Sequence, residues 1–119
     1  MPALSRRKVG SQAELHALRY LRDAGLECLA RNYQTRRGEI DLIMADRDVV
    51  VFVEVRQRSR TDFGDGIESV TRDKQRKLAA AALHYLQIHG NDAPCRFDVV
   101  AIDGSGDIEW VRNAFEVPG

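Results

Sequence analysis

The sequence predicts an α/β fold with one helix, three strands, a second helix and two further strands. Two observations support this class. Apolar residues recur with helical spacing in residues 11–24 and 71–89, and segments rich in Val, Ile and Phe occupy the stretches between and after them. A chain of 119 residues, of which 44% are hydrophobic, forms a modest core. We therefore expect residues 1–119 to form a single domain, with residues 1–9 as a flexible N-terminus.

The first helix is predicted to begin at Ser11 and to end before Gly25, because glycine suits the position that follows a helix C-terminus. The residues from Ser11 to Glu14 match a capping box, which gives Glu14 a structural explanation. Glu14 also shares one helical face with Leu18 and Leu21, and this spacing directs its carboxylate toward the sheet. Both roles of Glu14 stay open from the sequence.

The strands that follow include a hairpin whose pairing can be predicted. The first strand is expected over residues 26–33, and a turn over residues 34–38 leads into the hairpin of residues 38–45 and 49–56. With residues 46–49 as the turn, apolar residues oppose each other near the turn and charged residues at the open end. The pairs on one face are Ala45–Val50, Ile43–Phe52, Asp41–Glu54 and Glu39–Arg56, and those on the other are Met44–Val51, Leu42–Val53 and Ile40–Val55. A shift of one residue would destroy this sorting.

Asp41 and Glu54 are two carboxylates in an otherwise apolar part of the hairpin. In the predicted register their β-carbons lie about 5 Å apart, so their charges repel unless a cation or a proton lies between them. Ligands that are all oxygen favour Mg²⁺ or Mn²⁺ over zinc. The alternative is a structural ion pair between Asp41 and Arg56 or another arginine. The metal interpretation is favoured because two acids and one base leave negative charge uncompensated.

The second helix is predicted over residues 71–89 and begins with a polar turn. Gln75 starts the stripe of this helix that faces the core, where its amide needs a partner. Lys74 and Lys77 lie in the same turn, at the positive end of the helix dipole, and this placement favours anion binding. The last strands are predicted over residues 95–102 and 107–115, and their Asp98 and Trp110 are interpreted as ion-pair and packing residues.

The cysteines and the apolar stretches bear on the location of the protein. Cys28 and Cys95 lie far apart without Cys-x-x-Cys spacing, so we expect reduced, partly buried thiols and no metal or redox motif. No stretch is long and apolar enough to span a bilayer, and the N-terminal residues lack the apolar run of a signal peptide. We therefore expect a cytoplasmic protein that does not enter a membrane.

The formal net charge is zero, but the charges are segregated along the chain. Residues 1–38 and 55–80 are mainly basic, whereas residues 39–54 and 81–119 are mainly acidic. A basic rim around an acidic centre suits a polyanion whose backbone approaches a bound metal, although ordinary solvated charge is an equally good explanation. The candidate phosphate contacts are Arg36, Arg37, Lys74 and Lys77, with Arg58 and Arg60 in a basic loop after the hairpin.

Four stretches of the sequence resemble the YraN-like bacterial proteins, and the likeness extends from the first helix to Trp110. They are residues 38–43, residues 53–56, residues 69–71 with the pairs Lys74-Gln75 and Lys77-Leu78, and residues 95–101. YraN-like proteins are similar to archaeal Holliday-junction resolvases and so to the PD-(D/E)XK nuclease superfamily. The resemblance implies a restriction-endonuclease-like α-β-β-β-α-β core, with a mixed central sheet flanked by two helices, and metal-dependent phosphodiester hydrolysis.

The resemblance also implies roles for individual residues. Asp41 and Glu54 match the metal-ligand positions, Glu14 matches the acid of the first helix, and Gln75 falls where several members carry a glutamine or lysine. Arg56 departs from the pattern, because the superfamily usually has lysine two residues after the second acid. Arginine stays protonated, so it can stabilise charge on a phosphate but cannot act as a base.

The expected function is that of a nuclease that uses Mg²⁺ or Mn²⁺ to cleave DNA, with branched DNA or recombination intermediates among its substrates. In this mechanism Arg56 and Gln75 position the attacking water, and Lys74 or Lys77 can supply the missing ammonium. One alternative is a nucleic-acid-binding module with weak or lost catalysis. Another is a protein-interaction module associated with recombination or DNA uptake. Resolvase relatives act as dimers, so the resemblance is also compatible with a homodimer.

Overall fold

A computed structural model of the protein describes residues 2–58, 70–89 and 92–116, with side chains from residue 12 onward. Helix α1 spans Pro2–Asp23 and helix α2 spans Arg72–His89. The strands are β1 (Glu27–Gln34), β2 (Glu39–Asp46), β3 (Val49–Gln57), β4 (Cys95–Ile102) and β5 (Ile108–Phe115). The order of elements along the chain is the one that the sequence predicts.

The five strands form one mixed sheet in the order β1-β2-β3-β4-β5. Only the β3–β4 pair is parallel among the described strands, and α2 lies between these two strands in the sequence, as parallel neighbours require. The other neighbours pair antiparallel. The α-β-β-β-α-β core with a mixed sheet is therefore confirmed, with β5 as an additional edge strand.

The two helices cover opposite faces of the sheet, because the side chains of each strand alternate between the faces. On one face α1 buries Ala17, Leu18 and Leu21 against the sheet. On the other face α2 buries a stripe of four residues with helical spacing. That stripe consists of Leu78, Ala81, Ala82 and Tyr85. Neither described helix has the combination of length and apolar character that crossing a membrane requires.

Helix α1 is longer than the sequence predicts. It begins at Pro2 instead of Ser11, so residues 2–9, expected to be flexible, have helical backbone. Ser11 and Glu14 then lie inside the helix, and the predicted capping box does not form its N-terminus. Helix α2 begins at Arg72, where the hydroxyl of Thr71 accepts a 3.2 Å hydrogen bond from the backbone N–H of Lys74 as an N-terminal cap.

The predicted register of the β2–β3 hairpin is confirmed from the turn to the pair Leu42–Val53. The turn is tighter than predicted, since only Arg47 and Asp48 lie between the strands, and Arg47 has a φ of 57°. The prediction is wrong at the pair Ile40–Val55. Ile40 packs in the core under α2 and Val55 packs in the core under α1, so these residues lie on opposite faces.

Candidate metal and nucleic-acid site

The end of the hairpin is opened by the Asp41 side chain. Asp41 Oδ2 accepts a 2.8 Å hydrogen bond from the backbone N–H of Val55. Counted from the turn, the last regular pair of β2 and β3 is Leu42–Val53, so the ladder stops at the neighbour of Asp41. A side chain thus takes the donor that a strand backbone would otherwise bond. This contact explains why Ile40 and Val55 do not pair, and it places the Asp41 carboxylate between the two strands.

Glu54 lies beside Asp41 and is almost completely buried, with 5% of its surface exposed. Lys74 Nζ, from the first turn of α2, lies 2.9 Å from Glu54 Oε2. The direction of this contact does not satisfy hydrogen-bond geometry, so Glu54 Oε2 has an ion-pair partner but accepts no hydrogen bond among the described residues. Of the two lysines in this turn, Lys74 is thus the one that contacts Glu54, and its role as the ammonium of a catalytic site stays a prediction.

The electrostatics of Asp41 and Glu54 favour a proton or a cation between the two carboxyl groups. The pKa of Asp41 is raised from 3.8 to about 8, mainly by burial and further by the neighbouring Glu54 carboxyl, which acts as a hydrogen-bond partner and as a like charge. The Val55 N–H and the Lys74 ammonium lower the pKa of Asp41, but by less. One positive charge on Lys74 thus does not offset the two carboxylates.

Glu14 joins this group from α1, on the stripe that also holds Leu18 and Leu21, as the helical spacing predicts. Burial is the main cause that raises the pKa of Glu14, and the charge of Asp41 is the second. A hydrogen bond from the Asn32 side chain acts in the opposite direction. Glu14 Oε2 is nevertheless buried without a hydrogen-bond partner among the residues described.

Neither Arg56 nor Gln75 bonds to Asp41 or Glu54 in the described part of the chain. Arg56 lies two residues after Glu54 on the same face of β3 and is half-buried. No ion pair or hydrogen bond of its side chain is recorded within residues 12–58, 70–89 and 92–116. Gln75 Nε2 donates a 3.0 Å hydrogen bond to the carbonyl of Val70, which gives the amide the partner that its position requires. Its predicted role in positioning water stays a prediction.

The basic residues fall into two groups. Arg36, Arg37 and Lys77 line a common cleft of about 390 Å³ between the β1–β2 turn and α2. Arg58 is the first residue after β3, and its guanidinium donates a 2.7 Å hydrogen bond to Glu109 of β5. Arg60 is outside the described residues. The structure therefore brings Arg36, Arg37 and Lys77 together near α2, whereas Arg58 pairs with Glu109 of β5.

Other acids of the sheet have structural partners. Asp98 is 1% exposed and bonds to the Arg96 guanidinium, the Trp110 indole and the backbone N–H of Asn113. Arg96 also bonds to Asp46 at 2.9 Å. The interpretation of Asp98 and Trp110 as ion-pair and packing residues is confirmed. Both cysteines are free, but Cys95 is exposed instead of partly buried.

Sequence reasoning missed Asn32, which orients Glu14. Asn32 lies within β1 with a φ of 51°, a backbone conformation that asparagine tolerates better than most residues. An asparagine in a strand is a weak signal for such a position, because its side chain competes for local hydrogen bonds. The partner of Glu54 was also not fixed by the sequence, since Lys74 and Lys77 lie in the same turn.

Within the described part of the chain, no group of three or more His, Cys, Asp or Glu side chains has an arrangement that could hold a metal ion by itself. A site here would thus have two protein ligands, Asp41 and Glu54. This number fits Mg²⁺, which keeps several waters and commonly takes one or two carboxylates together with substrate phosphates. The buried oxygen Glu54 Oε2, which has the ion-pair contact with Lys74 but accepts no hydrogen bond from the described residues, is consistent with such a site.

Comparison with known proteins places the chain in a bacterial family. Residues 13–102 match the uncharacterised protein family UPF0102. A UPF0102 protein of Stutzerimonas stutzeri is 54% identical over 112 residues, which cover 90% of this chain and 93% of that protein. One of Nitrosococcus oceani is 53% identical over 121 residues, covering 98% and 97% of the two chains. The chain thus belongs to the family UPF0102, in agreement with its resemblance to YraN-like proteins.

Proposed function

We propose that the protein is a nuclease that depends on a divalent metal and hydrolyses phosphodiester bonds in DNA. The observation that carries the proposal is the arrangement of Asp41, Glu54 and Lys74 where β2 and β3 separate. Two carboxylates that are mostly removed from water share one ammonium, so the fully ionised site carries an excess negative charge that a proton or a cation must offset. The structural acid Asp98 differs, because it accepts hydrogen bonds from the Arg96 guanidinium, the Trp110 indole and the Asn113 backbone N–H. Glu54 Oε2 accepts no hydrogen bond from the described residues.

The residues present fit a hard cation with oxygen ligands. Asp41 and Glu54 would hold Mg²⁺ or Mn²⁺, and Glu14 would contact its hydration shell through water. Such an ion, when bound, supplies Lewis acidity toward a phosphate and a nucleophilic water. The raised pKa of Asp41 implies that the metal-free protein holds a proton between the two carboxyl groups near neutral pH, and that this proton leaves when a cation binds.

The remaining charges of the site are suited to a phosphate. Lys74 is 41% exposed in its side chain, so its ammonium contacts Glu54 and still faces solvent. Arg56 stays protonated and has no recorded partner in the described residues, so its guanidinium is available for developing negative charge. In this proposal Lys74 takes the place of the lysine that Arg56 replaces. A cytoplasmic location accords with a DNA substrate, and a homodimer is expected only for paired cuts in a symmetric junction.

The proposal is tested by cleavage of branched and linear DNA in the presence of Mn²⁺, with Asp41→Asn and Glu54→Gln as nearly isosteric variants. We expect each variant to lose activity by on the order of 100-fold or more. Asp48→Asn is the matched control, because Asp48 is an exposed acid in the turn of the same hairpin. Cleavage that is equal in the wild type and in both site variants would refute the assignment, since it would come from a contaminant.

A second candidate is a nucleic-acid-binding protein without catalysis. It is favoured by the ion pair between Lys74 and Glu54, which occupies one acid, and by Arg56 at the position of the usual lysine. A metal titration separates the two candidates. If Mn²⁺ raises the melting temperature of the wild type but not of Glu54→Gln, the metal site exists. If Mn²⁺ shifts neither protein while DNA still binds, the second candidate is correct.

A further inference from the structure

A cleft of about 370 Å³ lies between the β1–β2 turn and the middle of α2. The turn contributes Thr35, Arg36 and Arg37 to its lining, and α2 contributes the other wall. Its volume lies in the lower part of the range of small-molecule sites. The mechanism proposed above makes no use of this cleft.

The turn is held firmly against the helix. Thr35 Oγ1 accepts hydrogen bonds from the backbone N–H groups of Arg37 and Gly38, at 3.2 and 3.1 Å, and donates one to the carbonyl of Gly38 at 2.9 Å. Gly38 lies so close to α2 that a β-carbon there would come within 2.6 Å of the Lys77 carbonyl oxygen. The two arginines therefore project from a backbone that is bonded internally and packed on the helix.

The guanidinium groups of Arg36 and Arg37 are free to bind an anion. Both residues are exposed, and no ion pair of either side chain is recorded in the part of the chain that the structure describes. By contrast, Arg58 and Arg96 have carboxylate partners. Arginine recognises phosphate with two parallel hydrogen bonds, so two free guanidiniums at the edge of a cleft favour a phosphate-bearing ligand.

The helical wall is suited to a flat, partly apolar group. Ala80, Leu83, His84 and Gln87 follow the spacing of one helical stripe. Leu83 is 57% exposed, so its apolar surface faces water. His84 Nδ1 lies 2.7 Å from the Tyr33 hydroxyl, which orients the imidazole ring at the wall of the cleft. An apolar surface with a ring and an amide beside it resembles a surface on which a base can stack and bond.

The cleft adjoins a second cleft that reaches Lys77 of α2. This second cleft, of about 390 Å³, shares Thr35, Arg36 and Arg37 with the first and includes Lys77 and Glu39. Lys77 is one helical turn after Lys74, the partner of Glu54. At 1.5 Å per residue, Leu83 lies about 14 Å along α2 from Lys74. That distance corresponds to about four nucleotides of a strand with a rise of 3.4 Å.

We propose that this cleft binds an unpaired nucleotide of the DNA substrate, with its base on the Leu83 surface and its phosphate between Arg36 and Arg37. The inference rests on the proposed function, and it names the substrate class of that site as DNA with a single-stranded segment next to the point of cleavage. A blunt duplex keeps its bases stacked inside the helix and cannot supply the apolar contact.

Binding is measured by fluorescence anisotropy with a labelled single strand of oligothymidylate and with a blunt duplex, in EDTA so that no cleavage occurs. The double variant Arg36→Ala/Arg37→Ala tests the phosphate contact, with Arg19→Ala/Arg22→Ala as the control of equal charge on the exposed face of α1. Leu83→Ser tests the base contact, with Ile88→Ser as the control, because Ile88 is 62% exposed on the same helix and outside the cleft.

We expect the Arg36/Arg37 double variant to weaken single-strand binding about tenfold or more and to reduce the salt slope of log K by about 1.4, which corresponds to two lost phosphates. Leu83→Ser should weaken single-strand binding about fivefold or more and leave duplex binding unchanged. Variants that behave like their controls would overturn the cleft proposal. Because EDTA removes divalent metal ions, the binding measurement does not depend on cleavage. If the protein binds DNA but is not a nuclease, the expected binding pattern is unchanged.

Discussion

Lys74 Nζ lies 2.9 Å from Glu54 Oε2, so the first turn of α2 places an ammonium beside the acid at the end of β3. The superfamily that the sequence resembles usually supplies this charge from the strand itself, two residues after the acid. In this chain the strand position holds Arg56, and under the proposed function the ammonium of Lys74 takes the place of the usual lysine. The charge balance of the site therefore depends on the packing of α2 against the sheet.

Replacing Lys74 with methionine keeps the aliphatic part of the side chain and removes the charge. We expect a loss of about 1 kcal/mol in the free energy of unfolding, because Glu54 is buried while Lys74 is partly exposed and solvent screens the pair. We expect cleavage to fall by about tenfold or more. Urea denaturation and the cleavage assay measure the two effects. Arg76→Met, an exposed residue in the same helix, should change neither, and an unaltered cleavage rate in Lys74→Met would exclude the assigned role.

The raised pKa of Asp41 predicts a pH dependence of stability. Its pKa is about 8 in the folded protein and 3.8 in the reference state, so the folded protein binds the extra proton between these values, and stability falls as the pH rises through that window. Asp41→Asn removes this fall in the free energy of unfolding with rising pH, because asparagine does not titrate. We expect the variant to gain on the order of 1–3 kcal/mol over the wild type between about pH 5 and about pH 8.5. Urea titrations at both pH values measure the gain.

The control for this pH experiment is Asp48→Asn, because Asp48 is exposed in the hairpin turn. Its difference from the wild type should be the same at both pH values. A pH-independent difference for Asp41→Asn as well would show that Asp41 has no unusual affinity for protons in the folded protein.

Gly38→Ala should be clearly destabilising. The added β-carbon would lie 2.6 Å from the carbonyl oxygen of Lys77, which is backbone and cannot rotate away. We expect the free energy of unfolding to fall by about 1–3 kcal/mol. Gly104→Ala is the matched control, since nothing lies within 4 Å of the new β-carbon. Equal melting temperatures for the two variants would mean that the turn moves freely on the helix.

Asp98→Asn should cost about 3 kcal/mol of unfolding free energy, because the variant leaves the Arg96 guanidinium without its main buried partner. Asp107→Asn serves as the exposed comparison and should stay within about 0.5 kcal/mol of the wild type. Thermal and urea unfolding measure both. A loss below about 1 kcal/mol in Asp98→Asn would show that Asp46 alone satisfies the guanidinium.

Much of the sheet and part of the site could be predicted because they depend on local patterns. The hairpin register follows from alternation, since a shift of one residue would expose Phe52 and bury charged residues. The bounds of β4 agree with the prediction because its apolar run is buried on both faces of the sheet. The placement of Glu14 on the buried stripe of α1 follows from the spacing of Leu18 and Leu21.

The remainder depends on contacts between distant segments. Ile40 lies on the opposite face of the sheet from the one predicted, because the Asp41 carboxylate bonds to the backbone of Val55. Strand alternation cannot predict a side chain that replaces a backbone hydrogen bond of the ladder. The pairing of Glu54 with Lys74 depends on how far α2 extends over the sheet. The start of α1 at Pro2 overrides the cap signal at Ser11, which local sequence rules rank as a helix beginning.

The ion pairs of Arg96 with Asp46 and Asp98 affect how the protein approaches a charged partner. One guanidinium there pairs with two carboxylates, Asp46 and Asp98, whereas Arg36, Arg37 and Lys77 remain exposed beyond the other end of β2. A formal charge of zero therefore hides an uneven electrostatic field. Such a field turns an approaching polyanion toward the arginine side before any contact forms, and this orienting effect on the association rate weakens as ionic strength increases.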